Sequence, residues 1–177
     1  MKKCPSTARR ILAVDPYCRG FGFVVLEGRE RLVDWGLRDA RHGTDGDLLA
    51  KVADLIALYR PFLLVVEDYT DQSSRRRAHG RRLIRKILAQ ARTLDVRTRP
   101  VSAATVCTRF AAEGATTKHA IAGILVARFP ELAPHRPRFR KPWMSEDERQ
   151  AIFDAASLAI TLQKRGVASL GSVRNEG

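Results

Sequence analysis

Apolar and polar positions follow two different periods along this chain. Ile11-Leu12-Ala13-Val14 runs unbroken to Asp15, and a second apolar run extends from Gly20 to Glu27. Pro16 and Gly20 supply turn chemistry between them and Gly28 closes the second run, which predicts a β-hairpin. Leu32, Val33 and Trp35 predict a third strand over Arg31 to Leu37, before a stretch rich in turn residues from Asp39 to Gly46. The period then changes. Leu48, Val52, Leu55, Ile56 and Tyr59 recur at helical spacing, so a helix is predicted over Asp47 to Tyr59, stopped by Arg60-Pro61. Phe62 to Val66 is continuously apolar, as expected of a strand buried on both faces, parallel to and beside the first.

Beyond it, Leu83, Ile84, Ile87, Leu88, Ala91 and Leu94 mark one face of a second helix, with Arg81, Arg82, Arg85, Lys86 and Arg92 around the remainder. A short strand is predicted at Val96 to Val101, and helices at Ala103 to Ala112 and Lys118 to Phe129. Pro130, Pro134, Pro137 and Pro142 predict an irregular segment. Ser145-Glu146-Asp147-Glu148 has the pattern of a capping box, so the last helix is expected to begin there and run to about Lys164. No internal repeat is visible. The expected organisation is a polar tail at 1–9, one domain at 10–165 and a mobile polar tail at 166–177, with α/β layers built from the order β-β-β-α-β-α-β-α.

Charge narrows the class of partner. The 177 residues carry 32 Lys and Arg against 19 Asp and Glu, a net charge of +13, so polyanions are attracted and nucleic acid is the leading partner. Hydrophobic residues make up 45% of the chain, enough for a sizeable core. Cys4, Cys18 and Cys107 have no paired spacing and read as free thiols of a reducing compartment, the cytoplasm. No apolar run approaches the ~20 residues needed to span a bilayer, and the start of the chain does not read as a signal peptide.

Three acids stand where solvated surface acids do not usually sit. Asp15 and Glu67 end apolar strands, and Asp154 interrupts a helical stripe of Ala151, Ala155, Leu158 and Leu162. Asp15 before Pro16 also suits a turn, and Glu67 has Asp68 beside it, on the opposite face by alternation. An unpaired carboxylate within the Asp154 stripe would carry a desolvation cost of several kcal/mol, so a cation or an arginine is expected beside it. Strand-end carboxylates met by one from a packed helix make an all-oxygen site suited to a hard cation. Two Mg²⁺ ions roughly 4 Å apart could then generate a hydroxide and stabilise a leaving oxygen. Asp147 lies about 10 Å earlier along the same helix, where acids also favour the first turn.

Ile11-Leu12-Ala13-Val14-Asp15-Pro16 with Gly20 and Gly22 resembles the first motif of RuvC-type Holliday junction resolvases, in the RNase H-like superfamily. Leu64-Val65-Val66-Glu67 resembles the second, Thr117-Lys118 the basic segment, and Phe153-Asp154-Ala155-Ala156-Ser157-Leu158-Ala159 the final helix. The resemblance spans most of residues 11–164. It implies an RNase H-like fold, a mixed five-stranded sheet flanked by helices, in a single domain. It selects Glu67 over Asp68, gives Asp15, Glu67 and Asp154 as ligands of Mg²⁺ or Mn²⁺, and puts Lys118 at the scissile phosphate. The family's usual further ligand, one helical turn before the last Asp, is matched here by Ala151 beside Gln150, which leaves Asp147 as the substitute metal ligand.

Two basic segments are candidate nucleic-acid contacts. Arg75, Arg76, Arg77, Arg81, Arg82, Arg85 and Lys86 follow Glu67 closely; they read as a solvated helix face, or Gly80 frees the first part of the run, Arg75-Arg76-Arg77, as a mobile arm that orders on phosphates. Arg138, Arg140 and Lys141 interleave with Phe139 and Trp143, which either stack on bases or pack on the domain. The expected activity is that of a metal-dependent endonuclease on branched or structured DNA, acting as a homodimer if assembly follows the resemblance. An RNA-processing nuclease and a catalytically silent nucleic-acid-binding protein are the rival expectations; an actin-like phosphotransferase lacks its Gly-rich loop here.

Overall fold

The computed structural model of the protein describes residues 9–29, 31–40, 44–72, 74–141 and 143–168, with side chains to residue 163. The expected tails lie almost wholly outside the described residues.

The hairpin forms as expected. Strand β1 (Arg10–Pro16) pairs antiparallel with β2 (Gly20–Glu27), and β2 with β3 (Arg31–Asp39). Helix α1 (Asp45–Tyr59) is capped by Thr44, whose side chain accepts from the Asp47 N–H, and it crosses over to β4 (Leu63–Glu67). Strand β4 lies parallel to β1, Leu12 opposite Leu64, and β5 (Arg97–Val101) lies parallel to β4. The result is one mixed five-stranded sheet in the order β3-β2-β1-β4-β5.

Alternation along the two central strands divides the core. Leu12, Val14, Leu64 and Val66 face α1 and α2 (Ala78–Thr93), where they meet Val52, Leu55, Leu83, Ile84 and Ile87. Ile11, Ala13 and Val65 face the other way, onto α5 (Gln150–Ala168), with α3 (Ala103–Ala111) and α4 (Lys118–Arg128) completing that layer. Helix α5 is covered on nearly every side: Ile152, Phe153, Ala155, Ala156 and Ala159 are all buried, as expected of a helix held between a sheet and other helices. Truncating Phe153 to Ala would remove about 3–5 kcal/mol of packing.

Arg81, Arg82, Arg85 and Lys86 lie on α2, the helix expected to carry them, while Arg75, Arg76 and Arg77 precede it. Two expectations are corrected. The segment after Pro130 is not wholly irregular, because Pro130–His135 forms a 3₁₀ helix with Pro at its favoured first turn. Helix α5 begins at Gln150 and not at Ser145. Glu148 is engaged by Arg19 at 2.6 Å, and the Asp147 carboxylate accepts the Arg149 N–H at 3.0 Å in the turn that precedes the helix. At its other end α5 passes through Gly166, so the boundary expected at 165 falls within its last turn; one glycine costs only about 1 kcal/mol there.

Candidate active site

Asp15 and Glu67 share a face because of the pleat. Asp15 is in step with Ile11 and Ala13, and Glu67 with Val65, so both carboxylates project from the sheet end toward α5. Asp68, one residue on, accepts from the N–H and hydroxyl of Thr70 in a separate turn. Opposite Asp15 in register is Gly22, and a Cβ there would fall on the backbone of Ala151 and Ile152. The bare Cα lets the first turn of α5 lie directly on the sheet. That approach sets the height at which Asp154, one turn on, meets the strand-end acids.

Each of the three acids is met by the chain's own donors. The Arg76 guanidinium bridges two of them: Nη2 donates to Asp15 and Nε to Glu67 Oε2 at 2.7 Å, while Nη1 donates to the Pro16 carbonyl at 2.5 Å. Ser74 Oγ donates to the other Glu67 oxygen at 2.8 Å. On the far side, Lys118 Nζ lies 2.8 Å from Asp154 Oδ2 and 2.6 Å from Glu146 Oε1, and Gln150 Nε2 donates to Asp154 Oδ1 at 2.8 Å. Lys118 is thus the cation that the Asp154 stripe required. It is placed by α4, whose first residue it is and whose cap, Thr117, accepts the Ala120 N–H.

The electrostatics follow from burial. Asp15, 5% exposed, is raised from 3.8 to about 7, first by burial and further by Asp154 and Glu67, against the opposing pull of Arg76 and Lys118. Burial lowers Arg76 and Lys118, but the neighbouring acids outweigh it and hold both above their ordinary values.

The remaining candidates divide. Asp147 is paired with Arg149 at 2.6 Å, which lowers its pKa chiefly through that hydrogen bond, and the acids that act most on Asp15 are Asp154 and Glu67. Arg76, read from sequence with the nucleic-acid-contacting arginines, is turned into the acidic cluster with 15% of its side chain exposed. Arg81 donates to the Arg76 and Ser74 carbonyls and braces the same loop. Arg82 and Lys86 pair with Asp45 at the start of α1, an acid that the sequence reading of this run did not connect to it. Arg75, Arg77, Arg85, Arg138, Arg140 and Lys141 are exposed. Phe139 and Trp143 are 70% and 78% exposed, so the packed alternative is not what the fold adopts. Phe139 touches His119 edge-on, which sets this segment beside Lys118, and within the segment Lys141 lies over the Trp143 ring.

In kind, the three carboxylates and the Gln150 amide suit a hard divalent cation. In arrangement, the described residues contain no group of three or more His, Cys, Asp or Glu side chains set to hold a metal, and Arg76 stands where two of the carboxylates converge.

A mixed sheet in this order, with acids at the ends of its two central strands and a third on the helix packed across them, is the RNase H-like fold. Within it, the solved structures most like this chain include RuvC-type resolvases. Thermus thermophilus RuvC matches with a TM-score of 0.62 and 18% identity, over 86% of this chain and 92% of that one. The T. thermophilus RuvC in complex with a Holliday junction substrate gives 0.59 and 17%, over 92% and 96%. The yeast mitochondrial Holliday junction resolvase gives 0.59 and 11%, over 95% and 85%. No family model matches the chain, and no curated protein does. At these identities the likeness is one of fold.

Proposed function

We propose that this protein is a divalent-metal-dependent endonuclease that hydrolyses phosphodiester bonds in branched DNA. The observation that carries the reading is the convergence of Asp15, Glu67 and Asp154 at one end of the sheet, on a chain folded like two Holliday junction resolvases. Asp15, Glu67 and Asp154 would hold Mg²⁺ or Mn²⁺, which supplies Lewis-acid polarisation of the phosphate and an activated water. Lys118, at the rim, positions a non-bridging phosphate oxygen and balances its charge. Gln150 orients Asp154, and Ser74 orients Glu67. Exposed Arg75, Arg77, Arg138, Arg140 and Lys141 hold the flanking phosphates, and Trp143 and Phe139 offer stacking faces to unpaired bases. A homodimer would present two such sites to two strands. Exposed Cys18 and Cys107 are compatible with action in the reducing cytoplasm; among the described residues no helix is long and apolar enough to cross a membrane.

The test is incubation with end-labelled four-way junction, duplex, single-stranded DNA and RNA, in Mg²⁺, Mn²⁺ or EDTA, beside Asp15→Asn. Cutting of the junction that needs metal and is lost in the variant supports the reading. Tight binding with no cutting under any condition overturns it in favour of a binding protein.

A further inference from the structure

We propose that Arg76 is a resident counter-ion of the carboxylate cluster, which competes with the divalent cation for Asp15 and Glu67 and is drawn away by the bound DNA backbone. This rests on reading Asp15, Glu67 and Asp154 as cation ligands. Arg76 spends its whole fork on the site: one nitrogen on Asp15, one on Glu67 and one on the carbonyl of Pro16, the residue after Asp15. The side chains involved are 15%, 6% and 15% exposed for Arg76, Asp15 and Glu67. A guanidinium and a metal ion need the same carboxylate lone pairs. Mg²⁺ binds oxygens at about 2.0–2.1 Å, and a second cation held against those oxygens would be repelled strongly in so buried a place. The two occupants therefore exclude each other.

Arg81 holds the carbonyls of Ser74 and Arg76, so it is the Arg76 side chain, and not the loop backbone, that is free to leave. Residues 74–77 have no regular secondary structure, lying between the end of β4 and the first residue of α2, so withdrawing Arg76 breaks no helix or sheet hydrogen bond. Arg75 and Arg77 flank it, both exposed. Phosphates gathered by these two neighbours bring the alternative partner to Arg76, and a guanidinium fork fits a phosphate as well as it fits a carboxylate. Lys118 does not share this property, because it sits on the first turn of α4 and meets Asp154 at the rim. Metal loading is thereby coupled to DNA binding, and Arg76 offsets part of the cluster's negative charge when no DNA is present.

Mn²⁺ binding to the DNA-free protein, followed by electron spin resonance of free Mn²⁺, tests the competition in wild type, Arg76→Gln and Arg76→Lys. Arg76→Gln is expected to bind Mn²⁺ about tenfold more tightly than wild type, and Arg76→Lys, which cannot bridge two carboxylates, to fall between them. Linkage is reciprocal, so Mg²⁺ should tighten wild-type binding of a phosphorothioate four-way junction by a similar factor, and that of Arg76→Gln by much less, as read by fluorescence anisotropy. Equal Mn²⁺ affinity in wild type and Arg76→Gln, abolished in both by Asp15→Asn, overturns the competition and leaves the cation site standing. Absence of Mn²⁺ binding from every form overturns the cation reading beneath it. Tight Mn²⁺ binding by Arg76→Gln without any Mg²⁺ effect on wild-type junction binding makes Arg76 a fixed block and overturns its release. Should Arg76→Gln fail to fold by circular dichroism, Arg76→Lys against wild type carries the comparison, equal affinities then overturning the competition.

Discussion

At the end of the sheet, Asp15, Glu67 and Asp154 are held by Arg76, Ser74, Lys118 and Gln150 through hydrogen bonds and ion pairs, all but the Gln150–Asp154 contact joining different parts of the fold. In the segment around Arg138, Arg140, Lys141 and Trp143, the charges and rings stand in solvent. Both regions are built from ordinary charged side chains, and burial separates them. A buried charge carries a desolvation cost that only a fixed partner offsets, so position becomes rigid and a small change is felt. A solvated charge gains its free energy by releasing counter-ions from DNA, which needs proximity and little geometry. The first region suits chemistry and the second suits affinity.

The sharpest separation of the two is Asp15→Asn. Cleavage is expected to fall about a thousandfold or more while junction affinity in EDTA changes little, measured by single-turnover cutting and by anisotropy. Lys118→Ala should cost about a hundredfold in cleavage, again with binding largely kept. A large loss of binding in either variant would merge the two regions. Gly22→Ala asks whether the rigid region depends on the approach of α5: a Cβ driven against the Ala151 backbone should destabilise the fold by about 1–3 kcal/mol, read in urea melts, and lower cleavage with it.

A smaller effect follows from the position of Asp15. Its pKa is raised from 3.8 to about 7, so in that window the metal-free folded chain keeps a proton that the unfolded chain releases. Stability falls as pH rises through the window and is lowest above it. In EDTA, Asp15→Asn should therefore melt above wild type near pH ~8, with the difference closing toward pH ~4. A difference that grows on acidification would contradict the buried, raised carboxylate. The smallest changes belong to the solvated region: replacing Arg138, Arg140 and Lys141 by Ala should weaken binding to every DNA about equally and reduce the salt slope by up to about 0.9 for each phosphate no longer neutralised. Trp143→Ala should remove about 1–3 kcal/mol, for substrates with unpaired bases only.

Some of this was legible along the chain. The run ending at Asp15, the continuous strand ending at Glu67 and the helical stripe around Asp154 state their own periods, and the pleat then aims the first two acids at one face. Strand order on the central pair was also readable, because continuous apolarity at Leu64 to Val66 requires cover on both faces. Lys118 and the choice of Glu67 over Asp68 came from family resemblance, and the structure places both at the cluster.

Other features were decided only by tertiary structure. Nothing in the run Arg75-Arg76-Arg77 distinguishes the middle arginine, yet Arg76 alone of the three is turned onto an acid 61 positions earlier. Asp45 joins Arg82 and Lys86 across 37 and 41 positions, and Gly22 matters because Ala151 arrives against it. Secondary-structure periods are written locally, since a side chain's face depends on its near neighbours along the backbone. Which charge meets which depends on how far separate elements approach once packed, and in a chain of net charge +13 many arginines could have filled the one buried place between Asp15 and Glu67.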